Sequence, residues 1–176
     1  MQVIRYHYIP IAMNTLLDGQ VALHGAYCIL PIREKRQSTV ILSNNMQLNS
    51  SILAKMLSDC HQIVFIAVTA QGSQEYLDAL SQKSVSQAML ASQSLDKAVN
   101  DSIAFLMGFL SSKYRKQADT LLKKRLGPGL GDFDLHYQKT IFDLLELDQL
   151  SMQINEGYML TPVKSSITVT GIRRMQ

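Results

Sequence analysis

Residues 63–70 (IVFIAVTA) limit what this chain can fold into more than any other stretch. They are apolar at odd and even positions alike and rich in β-branched side chains. A strand that is greasy on both faces belongs in the centre of a sheet rather than at its edge. The run stops at Gln71-Gly72, and SQEYLDALSQK after it has the composition of a helix.

The neighbouring elements follow from pattern. Residues 25–32 (GAYCILPI) and 39–43 (TVILS) read as two strands joined across the charged turn REKRQS, a hairpin with a loop of about six residues, and Pro31 pushes the first strand towards an edge. Asn49 or Ser50 offers an N-cap to SSILAKMLSDC, whose Ile52, Leu53, Met56 and Leu57 share one face over about three turns. From about 85 to 124 the spacing is helical, with Leu95, Val99, Ser102, Ile103, Leu106 and Leu110 on one side. A Ser/Gln-rich stretch at 91–94 is a candidate break, and Gly108 is a candidate point of close backbone approach. Lys123, Lys124 and Arg125 are expected at the carbonyl-rich end of that helix. Asp134 is expected to cap a further helix, LHYQKTIFDLLEL, with Ile141, Leu144 and Leu145 on one side. Residues 152–160 and 166–172 read as strands of a C-terminal hairpin turning at 161–164. The pattern leaves residues 1–24 open, with a short helix over 11–17 as the candidate there.

Composition narrows the function classes. A chain of 176 residues, 47% apolar and 18% charged, suits one globular domain over 1–176. It contains no run of about 18 uncharged apolar residues that would span a membrane. The N-terminus lacks the apolar core of a secretory signal, so a cytoplasmic protein is expected. The net charge of +3, from 17 Lys+Arg against 14 Asp+Glu, is too mild for a nucleic-acid face. Cys28 and Cys60 fit no metal or redox spacing and are expected as reduced, buried thiols. His7, His24, His61 and His136 show no ligand spacing, so no metal site is expected. No nucleophile elbow appears, and no protein group stands out as a catalytic acid or base.

The remaining candidates cluster near one loop. Gly127-Pro128-Gly129-Leu130-Gly131 is too rich in glycine for a helix or strand interior. A dinucleotide cradle needs a strand before it, and a basic helix is expected there instead, so the loop is either a helix-to-helix connector or a place where a ligand lies against backbone. Arg125 at its mouth is either a solvated helix-end charge or a bidentate clamp for a carboxylate. Lys113, Arg115 and Lys116 read as a wet helix face. Glu156, inside INEGYML, either points to solvent by alternation or enters a site.

The string RLGPGLGDFDLHYQKTIFDLLELDQLSMQINEGYMLTPVKSS carries a resemblance. Its Arg, Pro-Gly step, GDF, capped helix with Gln and a Leu-Leu pair, strand with Glu156 and Pro-x-Lys-Ser turn are similar to the reactivation (AdoMet-binding) domain of cobalamin-dependent methionine synthase. The likeness is closest to the stand-alone bacterial relatives of that domain, and it covers about residues 125–168. Upstream, SSILAKMLSDCHQIVFIAVTAQG is similar to their helix–strand–Thr-x-Gly passage. The resemblance implies an α+β fold, a bent antiparallel sheet with helices packed on it. It implies S-adenosylmethionine (AdoMet) as ligand and cobalamin reached only through a partner, a corrinoid-binding methionine synthase or related methyltransferase. An electron from a flavodoxin-type donor and a methyl group from AdoMet would restore methylcobalamin there, an accessory role in methionine biosynthesis. Positioning is then the protein's main task, which matches the missing acid/base constellation.

By the same resemblance, Arg125 pairs with the AdoMet carboxylate, the backbone of Leu126, Gly127, Gly129 and Leu130 lines the ligand, and Glu156 is a secondary polar contact. Two positions depart from the pattern. Leu130 stands where the Arg-x-x-x-Gly-Tyr motif has Tyr, and Lys97 stands where the family often shows a helix acid. Asp18 is the nearest candidate for an early aspartate contact. These departures support an alternative, a non-catalytic module that docks on a corrinoid protein without AdoMet. A small-molecule methyltransferase fits poorly, because the strand–GxGxG–helix opening is missing near the N-terminus.

Overall fold

The computed structural model describes residues 2–8 and 20–175; the candidate helix over 11–17 and Asp18 lie outside them. The elements in chain order are β1 (Ile4–Tyr8), β2 (Ala22–Lys35), β3 (Thr39–Leu42), β4 (Gln47–Asn49), α1 (Ser51–Met56), β5 (Cys60–Gln71), α2 (Ser73–Lys83), α3 (Val85–Arg115), β6 (Asp119–Leu121), α4 (Tyr137–Leu144), a 3-10 turn (Leu147–Leu150), β7 (Gln153–Ile154), β8 (Leu160–Thr161) and β9 (Ser165–Arg174). The main sheet is antiparallel, in the order β4-β3-β2-β5-β9-β6, with β1 also on β2. β2 pairs with β5 through Pro31, then shifts register between Ile32 and Glu34 and pairs with β3, as a bulge that bends a strand does. The α+β class with a bent antiparallel sheet is the one expected. Among the described residues no helix is long and apolar enough to cross a membrane.

Alternation along β5 explains the layers. Ile63, Phe65 and Ala67 join Cys28, Leu30, Ile167 and Val169 in a core closed by α1, α4 and Phe133. Val64, Ile66 and Val68 join Leu23, Tyr27 and Ile172 in a second core closed by α3 through Leu95, Val99, Ile103, Leu106 and Leu110. A strand buried on both sides is apolar at nearly every position, as residues 63–70 are apart from Thr69, whose buried hydroxyl accepts a hydrogen bond from Ser165 Oγ at 2.8 Å.

Several elements differ from the sequence expectations. β2 runs to Lys35, so the first hairpin's loop shrinks to 36–38. α1 is one short helix of 6 residues rather than three turns, capped by Ser50, because β5 begins as early as Cys60. Residues 91–94 do not break the long helix: Ser94 Oγ donates to the Leu90 carbonyl and the ladder continues. The helix stops at Arg115 instead of near 124. Ala118 then takes a left-handed backbone (φ 59°), and 119–121 pair with β9. Gly108 meets no neighbour where a Cβ would sit, so close backbone approach is not its reason. α4 starts at Tyr137, and the Asp134 carboxylate serves one turn earlier by accepting from the His136 N–H at 2.9 Å. The expected C-terminal hairpin does not form. β7 and β8 pair only with each other, while β9, buried over most of its length, inserts between β5 and β6.

Candidate functional site

The stretch after β6 follows the free edge of β9. Leu122 N–H donates to the Gly171 carbonyl, and Leu126 exchanges both backbone hydrogen bonds with Val169, at 2.9 and 2.8 Å. The Thr170 hydroxyl shares its one proton between the carbonyls of Lys124 (2.8 Å) and Leu122 (3.2 Å), and Thr168 Oγ donates to that of Leu126 (3.2 Å). Two β9 threonines thus satisfy carbonyls that a regular ladder partner would otherwise take. The segment alternates like a strand. Leu122 and Leu126 pack on the α1/α4 core, which sends Lys123 and Arg125 to the opposite side, towards α3.

Two clefts lie along α3. One, of about 360 Å³, is lined by Ala104, Met107, Gly108 and Ser111 of the helix and by Leu121, Leu122, Lys123 and Arg125. The other, of about 210 Å³, is lined by Asp96, Val99 and Asn100 of the helix and by Val163, Lys164, Ser165 and Ser166. A hydrogen bond from Arg125 Nη2 to Asn100 Oδ1 (2.7 Å) joins the wall of the first to the wall of the second. In the smaller cleft Lys164, only 12% exposed in its side chain, reaches Asp96 at 2.7 Å. The clefts therefore hold Lys123, Arg125 and Lys164 against one carboxylate, and among the described residues the hydrogen-bond partner of Arg125 is a neutral amide. A guanidinium in that state has donors and charge left for an anion.

The glycine loop is a packed turn. Gly129 (φ 90°) donates its N–H to the Phe133 carbonyl at 2.7 Å, and a Cβ on Gly127 would stand 3.2 Å from the Ile167 carbonyl oxygen. Phe133 is fully buried and stacks on Tyr137, with ring centroids 5.1 Å apart. Asp132 ties the turn to α1: its carboxylate accepts from Ser50 Oγ (2.6 Å), from the backbone N–H of Ser51 (2.7 Å) and Ile52 (3.2 Å), and from Ser51 Oγ. The two serine hydroxyls, ahead of the backbone donors, hold this carboxyl well below the usual carboxylate range.

Of the residues singled out from sequence, Arg125 lines the larger cleft, and Leu126 sets its direction by facing the core behind it. The segment before the loop is a short strand and an extended run, so Arg125 is not a helix-end charge. Gly127 and Gly129 line neither cleft, and Leu130 is 58% exposed beside them. Glu156 sits in the exposed turn of the β7–β8 hairpin rather than inside a strand, and it also lines neither cleft. Lys97 pairs with Asp101 on the solvent side of α3, whereas its neighbour Asp96 enters the smaller cleft. Sequence reasoning missed Asp96, Asn100 and Lys164 as a group. The available signal was the Asp96/Asn100 pair, spaced i, i+4 beside the apolar stripe.

No family model and no curated protein matches this sequence. A crystal structure of the MetH reactivation domain bound to AdoHcy superposes with a TM-score of 0.68 at 14% identity, covering 91% of this chain and 63% of that one. The chain has the fold of the MetH reactivation domain. It spans less than two thirds of that structure's length.

Proposed function

We propose that the α3 clefts bind AdoMet and that the chain is a stand-alone relative of the reactivation domain, presenting that ligand to a corrinoid-binding partner. The observation that supports this reading most is the Arg125 guanidinium held by the uncharged Asn100 at the junction of a polar and a largely apolar cleft. AdoMet has matching parts: a carboxylate, an ammonium, a cationic sulfonium and a flat purine. Arg125 is positioned to receive the carboxylate as a fork. Asp96 is the acceptor available to the ammonium, with Lys164 anchoring its other side. The space beside Gly108, walled by Ala104, Met107 and Leu121, takes an aromatic ring without a Cβ in its way. These residues fit the group.

When bound, AdoMet supplies an electrophilic methyl on sulfur; the chain supplies orientation. Leu126 pins the backbone so that Arg125 holds one direction, and the Gly127–Gly129 turn fixes where that pinned segment ends. In this reading Leu126, Gly127, Gly129 and Leu130 act by shaping the segment, and Glu156 is a peripheral contact. The cobalamin, the flavodoxin-type electron donor and the corrinoid-binding methyltransferase belong to the partner side of the proposal. A docking module without AdoMet is the second reading, favoured by the exposed Leu130 where the motif has an aromatic residue.

Isothermal titration of the folded protein with AdoMet tests the assignment. Saturable binding that is lost in Arg125→Ala supports it. No heat at millimolar ligand, with partner capture unaffected by AdoMet, replaces it with the docking module.

A further inference from the structure

A third cleft, of about 490 Å³, opens at the other end of β9, where β5 begins, lined by Lys35, Asp59, Cys60, His61, Thr120, Arg173, Arg174 and Met175. We propose that it is a binding site for a phosphate dianion, free or carried on a small molecule, independent of the α3 clefts.

Its construction begins with a bulge. The pairing of β5 with β9 steps from Cys60–Arg173 to Gln62–Ile172, which leaves His61 unpaired at the cleft wall. Bulges are used in this way to re-aim a side chain. His61 Nε2 stands 3.4 Å from Asp119 Oδ2, while Nδ1 is buried and has no hydrogen-bond partner among the described residues.

The charge around it is positive. Lys35 Nζ donates to the carbonyls of Cys60 (2.9 Å) and Ser58, which uses two of its three N–H bonds and leaves the third for the cleft. Arg173 and Arg174 have no side-chain hydrogen bond or ion pair among the described residues. Among the described residues Asp59 is the one lining carboxylate, and Asp119 is turned to His61. Three lining cations face one lining carboxylate, with the Asp119 carboxylate set behind His61 and outside the lining, so the wall that a ligand meets is predominantly positive and offers several donors, as the oxygens of a phosphate require. The Thr120 hydroxyl adds a neutral donor.

Calorimetric titration of the full chain at fixed ionic strength, with pyrophosphate, inorganic phosphate and ADP as probes and a single-stranded oligonucleotide as the contrasting polyanion, tests the site. Saturable binding of at least one probe is expected, weakened about tenfold or more in Arg174→Ala and in Arg173→Ala. Both side chains are exposed, so circular dichroism and Tm should match the wild type. Lys83→Ala, on α2, should change nothing. ADP binding more tightly than pyrophosphate indicates a nucleotide, and equal binding indicates the free phosphate chemistry. Absence of saturation, equal weakening by Lys83→Ala, or a preference for a single-stranded oligonucleotide over pyrophosphate overturns the proposal.

Discussion

Arg125 and Asn100 lie 25 positions apart, and the guanidinium of one donates to the amide oxygen of the other at 2.7 Å across the mouth of the α3 clefts. The amide aims the arginine without neutralising it. An aspartate at 100 would do both. Asn100→Asp should therefore weaken AdoMet binding about tenfold or more, because the ligand's carboxylate must displace a resident one. Asn100→Ala should cost less, since it removes only the aim. Calorimetry on the two variants measures the contrast; equal affinities would mean that Arg125 does not meet the carboxylate.

Asp132 joins the glycine turn to the N-terminus of α1 and makes folding pH-dependent. Its carboxyl is held below the ordinary value, chiefly by the Ser50 and Ser51 hydroxyls. A depressed folded value stabilises the native state above the unfolded pKa of about 4, and that contribution is lost as the pH falls through the folded value. Asp132→Asn should lower Tm at neutral pH, and the gap to the wild type should close progressively in acid. A gap that stays constant with pH would place the effect elsewhere.

The two thiols should be inert while the protein is folded. Burial pushes Cys28 up to about 12 and Cys60 up to about 11, with the nearby Lys35 too weak an influence to offset burial at Cys60. The reactive thiolate is then scarce at neutral pH. A chromogenic disulfide reagent should titrate neither cysteine in the native protein and both in denaturant. Rapid reaction of Cys60 in the native state would show that the basic cleft lowers its pKa.

The central strand should dominate stability. Phe65 is fully buried between α1, α4 and β9, and Phe65→Ala should cost about 3–5 kcal/mol by urea unfolding. Gly171→Ala should also destabilise, because the new Cβ would stand 2.5 Å from both Cys60 Sγ and Leu57 Cδ2. A neutral result at either position would contradict the packing between β9 and α1.

What the sequence made legible was whatever burial dictates locally. The run around Phe65 declares a central strand, and the stripe from Leu95 to Leu110 declares the face of α3. The failures lie where tertiary pairing overrides local pattern. Lys123–Arg125 look like a helix end only until Thr168 and Thr170 are seen to bind the carbonyls of that segment from β9. β9 itself alternates polar and apolar as a hairpin strand would, but its threonines are buried under α3. Arg125, singled out from its motif, lines one of the α3 clefts. Asp96 was not legible, because the side of α3 it faces depends on where Lys164 returns 68 residues later.

The most direct measurement of the central claim is an NMR titration of isotope-labelled protein with AdoMet. Resonances of Arg125, Asn100, Gly108 and Lys164 should shift together and saturate, with those of the Glu156 turn changing little. Saturable shifts confined to the Gly127–Gly131 turn and Glu156, with Asn100 and Gly108 silent, would contradict the α3 clefts as the binding site.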